Sequence, residues 1–443
     1  MQRSTPPAWP VPMTEANSSG WHPHLWHPFT QPGRGPAPLP IKRGDGVWLE
    51  LEDGRRLIDG ISSWWVTLHG HSEPSIAAAI ARQAETLEQV IFANFRHQPA
   101  TELSERVCAL WPGLERMFFS DNGSTAVEVA IKMALQRSWR QGGQRHQVIA
   151  FDGAYHGDTF GAMAVGERGL FSAPFEPKLF EVARAPWPAT WWGDDACEHK
   201  EQQALSQLEQ LLETPTAAVI LEPLLQGAGG MAMVRPTFLQ AVQQRVHQAG
   251  ALLIADEVLT GFGRCGALFA SLRAGITPDL VALSKGLTGG FLPMGVTLAS
   301  EELYQQFVGP EPECTFFHGH SFTANPLGCA AAVASLELLQ ARPERFSSIE
   351  ARHRPQLERL ASQAIVQRPR LLGSIAAFEL AGASGYLQPI GLEVQRLCLG
   401  KGLFVRPLGS VVYLMPPLCI NDQELEHCYA VLNDVLEQLS ARA

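Results

Sequence analysis

Five short apolar runs, alternating with stretches of helical periodicity, constrain this chain more than any other feature of its sequence. They are Met117-Phe118-Phe119, Val148-Ile149-Ala150-Phe151, Ala218-Val219-Ile220-Leu221, Leu252-Leu253-Ile254-Ala255 and Leu280-Val281-Ala282-Leu283. A strand that is apolar at every position keeps both faces from water, as a strand does in a parallel sheet covered by helices on either side. The helices are visible too: Val127, Ala130, Ile131, Ala134 and Leu135 recur at helical spacing, as do Leu205, Leu208, Leu211 and Leu212. The expected class is α/β with a mainly parallel sheet.

The 443 residues exceed what one small core usually serves. Val47-Trp48-Leu49-Glu50-Leu51-Glu52 alternates in strand fashion into Asp53-Gly54, a hairpin turn signal. Beyond Leu339, helices are expected over 342–370 and 422–440, flanking strands at 375–380 and 411–415. That mixture suggests a small α+β domain built from both chain ends. The expected division is a flexible leader over 1–20, the N-terminal part of the small domain over 21–65, a large domain over 66–335 and the C-terminal small domain over 336–443.

The net charge of -10 comes without a dense Lys/Arg cluster, which gives no footprint for nucleic acid or an acidic membrane. A small-molecule partner is expected instead. The eight cysteines include no C-x-x-C pair, so neither a zinc site nor a redox dithiol is indicated. The leader is rich in Pro, Ser and Thr without a secretory apolar core, and no apolar run is long enough to span a bilayer. A soluble protein of the reducing cytoplasm is expected.

An enzyme that works through a Schiff base needs an amine held at one point with a depressed pKa. Six lysines are available. Lys42, Lys178, Lys200 and Lys401 lie in polar or turn-rich sequence, and Lys132 falls within the helix that begins near Ser124. Lys285 directly follows the run Leu280–Leu283 and precedes Gly286-Leu287-Thr288-Gly289-Gly290, where small residues admit close neighbours. Sites in open α/β sheets form outside the carboxyl ends of strands, although a surface lysine capping a strand would look the same. Asp256 ends the run Leu252–Ala255 and should lie on the same edge; a carboxylate there could hold a pyridine nitrogen protonated, or merely cap a helix. Ser120-Asp121-Asn122-Gly123-Ser124-Thr125, between a strand and an amphipathic helix, suits an anion such as phosphate, and equally suits simple capping.

Taken together, Ile254-Ala255-Asp256-Glu257-Val258, Thr260-Gly261-Phe262-Gly263-Arg264, Pro278-Asp279-Leu280 and Ser284-Lys285-Gly286 resemble the signature of class III aminotransferases, and the likeness extends from about His24 to the end of the chain. The resemblance implies a fold-type I transferase that uses pyridoxal 5′-phosphate and works as a homodimer with its active site at the interface. It implies that Gly123 and Ser124 hold the cofactor phosphate, Tyr155 stacks on the ring, Asp256 pairs with the ring nitrogen and Lys285 is the catalytic Schiff-base lysine. Ser321, within His318-Gly319-His320-Ser321, would reach the phosphate from the neighbouring subunit. Trp64 would line the pocket for an aliphatic keto acid, with Arg406 binding its distant carboxylate as a guanidinium fork does. The implied reaction is ping-pong transamination, with S-adenosylmethionine as the expected amino donor and lysine as the alternative. Two departures concern these sites: Phe29 stands where many members carry Tyr, and Gly319-His320-Ser321 where many carry Gly-Pro-Thr.

Two other readings are weaker. Gly261-Phe262-Gly263-Arg264-Cys265-Gly266 fits the dinucleotide pattern G-x-G-x-x-G, but too many residues separate it from its strand. His69-x-His71 and His318-x-His320 are imidazole pairs that no carboxylate or cysteine pattern completes, so no metal is expected.

Overall fold

The computed structural model describes residues 21–22, 24–30, 37–382 and 389–441. The expected leader over 1–20 lies outside them. All five apolar runs are strands of one seven-stranded sheet, completed by Ala183–Ala185 at one edge and Gly295–Ala299. Six of the seven run parallel, and Gly295–Ala299 pairs antiparallel with both Leu280–Leu283 and Arg116–Ser120.

The two-residue period of a strand explains why these segments are apolar throughout. Val148, Ala150, Ala218, Ile220, Leu252, Ile254, Leu280 and Ala282 pack on one face against Ala126, Val127, Ala130 and Ile131 of the helix Gly123–Arg140. Their alternates Ile149, Phe151, Val219, Leu221 and Leu253 pack on the other face against Ala204 and Leu208, and against Phe238, Leu239, Val242 and Val246. Those partners come from the helices Cys197–Leu212 and Pro236–Gln248.

The two chain ends meet in a second sheet. The hairpin strands Trp48–Leu51 and Arg56–Asp59 pair antiparallel, and Leu403–Phe404 adds parallel to Arg56–Asp59. A three-stranded sheet follows from Val366–Leu372, Ile375–Leu380 and Val411–Leu414, flanked by the helices Ile349–Ala361 and Asp422–Ser440. The helix expected over 342–370 is therefore corrected: it gives way to the strand Val366–Leu372. Pro369 cannot donate to a helical hydrogen bond, and the strand absorbs it at an irregularity between Gln367 and Arg370. Among the described residues, no helix is long and apolar enough to cross a membrane.

Candidate active site

Five parallel strands end at the same edge of the large sheet, and residues just beyond each of them line one cavity of about 700 Å³. Arg116–Ser120 leads to Asn122, Gly123 and Ser124, and Gln147–Phe151 to Tyr155 and His156. Glu222 follows Thr216–Leu221, Asp256 ends its own strand, and Ser284 and Lys285 follow Leu280–Leu283.

Lys285 is fixed through its neighbour. The Ser284 hydroxyl donates to the Met294 carbonyl at 2.6 Å, tying the turn to the segment that enters the antiparallel strand. The lysine backbone has φ 44°, a left-handed conformation that a side chain ordinarily avoids and that recurs at functional sites. Its Nζ lies 4.7 Å from the centre of the Trp65 ring, and the Trp65 indole N–H donates to the Tyr413 hydroxyl at 2.9 Å. Loss of hydration lowers the lysine pKa to about 8, against the opposing pull of the negative charges of Asp256 and Glu222.

Asp256 is held from two sides. Its Oδ2 is 2.7 Å from His156 Nδ1, and its Oδ1 accepts the Val258 N–H at 3.0 Å. Both side chains are buried, and His156 Nε2 has no hydrogen-bond partner among the described residues. Glu222 accepts the Tyr155 and Gly227 N–H groups at 3.1 and 2.9 Å, and burial raises its pKa to about 7. The adjacent Glu257 is occupied instead by Thr260 and by the N–H groups of Ala270 and Ser271.

The helix Gly123–Arg140 points its N-terminus into this cavity. Asn122 and Thr125 form a reciprocal capping box at 3.0 and 3.1 Å, which satisfies the Thr125 N–H and leaves the earliest N–H groups of the helix without intrahelical partners. Gly157 passes so close that a Cβ on it would lie 2.2 Å from Ser124 Oγ, and its φ of 130° also requires glycine.

Of the residues singled out in the sequence, Gly123, Ser124, Tyr155, Asp256 and Lys285 line the cavity. Phe29, Trp64 and Arg406 form a stack beside it, joined to the cavity wall through Trp65: the Arg406 guanidinium lies 4.3 Å over the Trp64 ring, whose centre is 5.5 Å from that of Phe29. Arg406 has no carboxylate partner among the described residues. Gly319, His320 and Ser321 do not line the cavity of their own chain. There Lys132 Nζ donates to His318 Nδ1 at 2.9 Å, His318 and His320 meet through their Nε2 atoms at 3.2 Å, and His320 Nδ1 lies 3.7 Å from Asp121. The other histidine pair is separately engaged, His69 with Ser335 and His71 with Asp59. The G-x-G-x-x-G segment opens no helix; Arg264 within it is buried and donates to the Pro416 and Thr67 carbonyls.

Trp65, His156, Thr159 and Glu222 also line the cavity, and the sequence reading gave none of them a role. Glu222 had the signal that selected Asp256, a carboxylate closing an apolar run.

Comparison with known proteins gives the family. The family model of aminotransferase class-III matches residues 29–436. The adenosylmethionine-8-amino-7-oxononanoate aminotransferase of Synechococcus elongatus is 57% identical over 94% of this chain and 99% of its own length. The solved structure of the enzyme of that name from Methanocaldococcus jannaschii superposes with a TM-score of 0.86 at 32% identity, covering 94% of this chain and 97% of the other. A PLP-bound amine transaminase from an uncultivated Pseudomonas species gives 0.88 at 28% identity, covering 94% and 99%. The chain belongs to the class III aminotransferases.

Proposed function

We propose that this chain transfers an amino group to 8-amino-7-oxononanoate, giving 7,8-diaminononanoate in biotin synthesis, with S-adenosyl-L-methionine as donor and pyridoxal 5′-phosphate as cofactor. The observation that carries the reading is Lys285, an amine with its pKa lowered to about 8, placed with Asp256 and the helix start at Gly123 around one cavity. The name shared by the Synechococcus and Methanocaldococcus relatives supports the substrate and the donor.

The residues fit this cofactor. A helix N-terminus with free N–H groups suits its phosphate, and Gly157 leaves the approach to Ser124 open. Asp256, clamped by His156, suits a protonated ring nitrogen, and Tyr155, on the cavity wall, suits a ring face. When bound, the cofactor supplies an electron sink for the pair released as a substrate C–H bond breaks.

The chain's own groups do the rest. Lys285 would hold the cofactor, and its amine, when free, is a base that can take a proton from the donor carbon. A pKa near 8 leaves a useful fraction of free amine at neutral pH, which an ordinary lysine lacks. In the second half-reaction the same amine carries the proton back to the acceptor. His156 donates to Asp256 and fixes the rotamer of the carboxylate that would meet the ring nitrogen. Arg406, unpaired and stacked on Trp64, offers its fork to the carboxylate of the keto acid, while Trp64 and Phe29 pack along its aliphatic chain.

The active unit is a homodimer of the cytoplasm, in which Gly319, His320 and Ser321 complete the neighbouring site. Phe317 and Phe322, 76% and 61% exposed on either side of these residues, support a surface meant to be covered. The large domain over 66–335 carries the cofactor, and the small domain over 21–65 and 336–443 closes the substrate side.

Purified holoenzyme given 8-amino-7-oxononanoate with each donor separately tests the assignment. Diaminononanoate is expected with S-adenosylmethionine; formation with lysine alone overturns the donor, and turnover of ω-amino acids or diamines with pyruvate as acceptor, but not with the keto acid, overturns the substrate.

A further inference from the structure

Ser124 is held from behind by two residues to which the proposed mechanism gives no part. The Thr159 N–H donates to Ser124 Oγ at 3.1 Å, and the two hydroxyl oxygens are 2.8 Å apart. Thr159 Oγ1 donates in turn to Glu128 Oε1 at 2.6 Å, and the same carboxylate oxygen accepts the Gly161 and Ala162 N–H groups at 2.7 and 3.0 Å. The Thr159 hydroxyl donates to a Glu128 oxygen that also accepts two backbone N–H groups, and this sets the direction of the row. The Thr159 proton goes to Glu128, and the proton between the hydroxyls belongs to Ser124.

Two consequences follow. Ser124 Oγ is fixed by an N–H that never leaves, while its own proton can rotate from Thr159 to an anion arriving at the helix start. Glu128 lies one turn beyond Ser124 on the helix Gly123–Arg140, and it also anchors the first turn of the helix Phe160–Val165. The segment running from Tyr155 to Thr159 is thereby tied to the phosphate-binding helix at a set distance. We propose that Thr159 and Glu128 are positioning residues for the cofactor phosphate: they aim the Ser124 hydroxyl and hold it in register with the Tyr155 ring. This rests on the reading of pyridoxal 5′-phosphate as the cofactor.

The test compares binding of pyridoxal 5′-phosphate with binding of pyridoxal, which lacks the phosphate, to the full-length apo-protein by fluorescence titration. Thr159→Val is expected to weaken binding of the phosphorylated form about tenfold while leaving pyridoxal unchanged, as loss of one hydrogen bond to a charged group would. Thr159→Ser restores the wild-type ratio. Glu128→Asp keeps the charge but withdraws the acceptor, and should show the same selective loss with a changed visible circular dichroism of the bound cofactor. It also serves if Thr159→Val does not fold. Equal weakening of both ligands, or no weakening of either, overturns the proposal and leaves the cofactor reading intact. Failure of the wild type to bind pyridoxal 5′-phosphate overturns both.

Discussion

A primary amine set at the floor of a cavity loses hydration that only charge neighbours can replace, and at Lys285 the replacement is partial. Its pKa falls from 10.5 to about 8 although Asp256 and Glu222 pull the other way. Because the folded value is depressed, the unfolded chain binds more protons between these two values. The destabilisation is therefore full below pH 8 and fades as pH rises towards 10.5. Lys285→Met keeps the length and removes the charge, and should stabilise the apo-protein at pH 7 by about 2 kcal/mol, allowing for the water in the cavity. Denaturant unfolding at pH 7 and pH 9.5 checks this: the gain should shrink at the higher pH, and a gain independent of pH would mean the lysine is not desolvated.

The legibility of single residues followed from their place in the chain. Lys285, Asp256, Gly123 and Ser124 stand at the ends of apolar runs, where sheet geometry alone makes a site. Tyr155, Trp64, Arg406, Phe29 and the Gly319–Ser321 turn carry no such mark, and only resemblance to a family singled them out. His156 and Thr159 were missed because their importance lies in partners 100 and 35 residues away.

At the scale of the element, the site depends on how closely the Tyr155–Thr159 segment approaches the helix Gly123–Arg140. Gly157→Ala would place a Cβ against Ser124 and force an unfavourable φ, so it should raise the dissociation constant for pyridoxal 5′-phosphate at least tenfold. Gly169→Ala, where a Cβ meets open space, is the matched control and should bind normally. Titration of both apo-proteins decides it, and equal behaviour of the two would remove the close approach from the account. Elements were legible where one rule governed them. Runs apolar on both faces were strands, but Ala183–Ala185 escaped notice because it has three residues, and Gly295–Ala299 because it opens on glycine and is interrupted by Thr297. The helix expected over 342–370 ran on because charged residues at helical spacing do not announce a strand, whereas Pro369 did.

At the scale of the molecule, the sheet that Leu403–Phe404 shares with Arg56–Asp59 brings the two ends of the chain together beside the cavity, and Arg406 lies just beyond that strand. The Gly319–Ser321 turn lies outside the cavity of its own chain. If Ser321 acts across the interface, co-expression of Lys285→Ala with Ser321→Trp should restore about a quarter of wild-type activity, since half the random dimers then hold one intact site. No recovery, with dimers present by sedimentation, would place Ser321 in its own subunit's chemistry; full activity of Ser321→Trp by itself would put it outside the site.

The proposed chemistry stands on Lys285 as the lysine that carries the cofactor. Borohydride reduction of the holoenzyme followed by peptide mass spectrometry tests it directly. The pyridoxyl-phosphate mass is expected on the peptide that contains Lys285, and is expected to be lost in Lys285→Ala. The same mass on Lys132 or Lys200, or no covalent mass on any lysine, would contradict it.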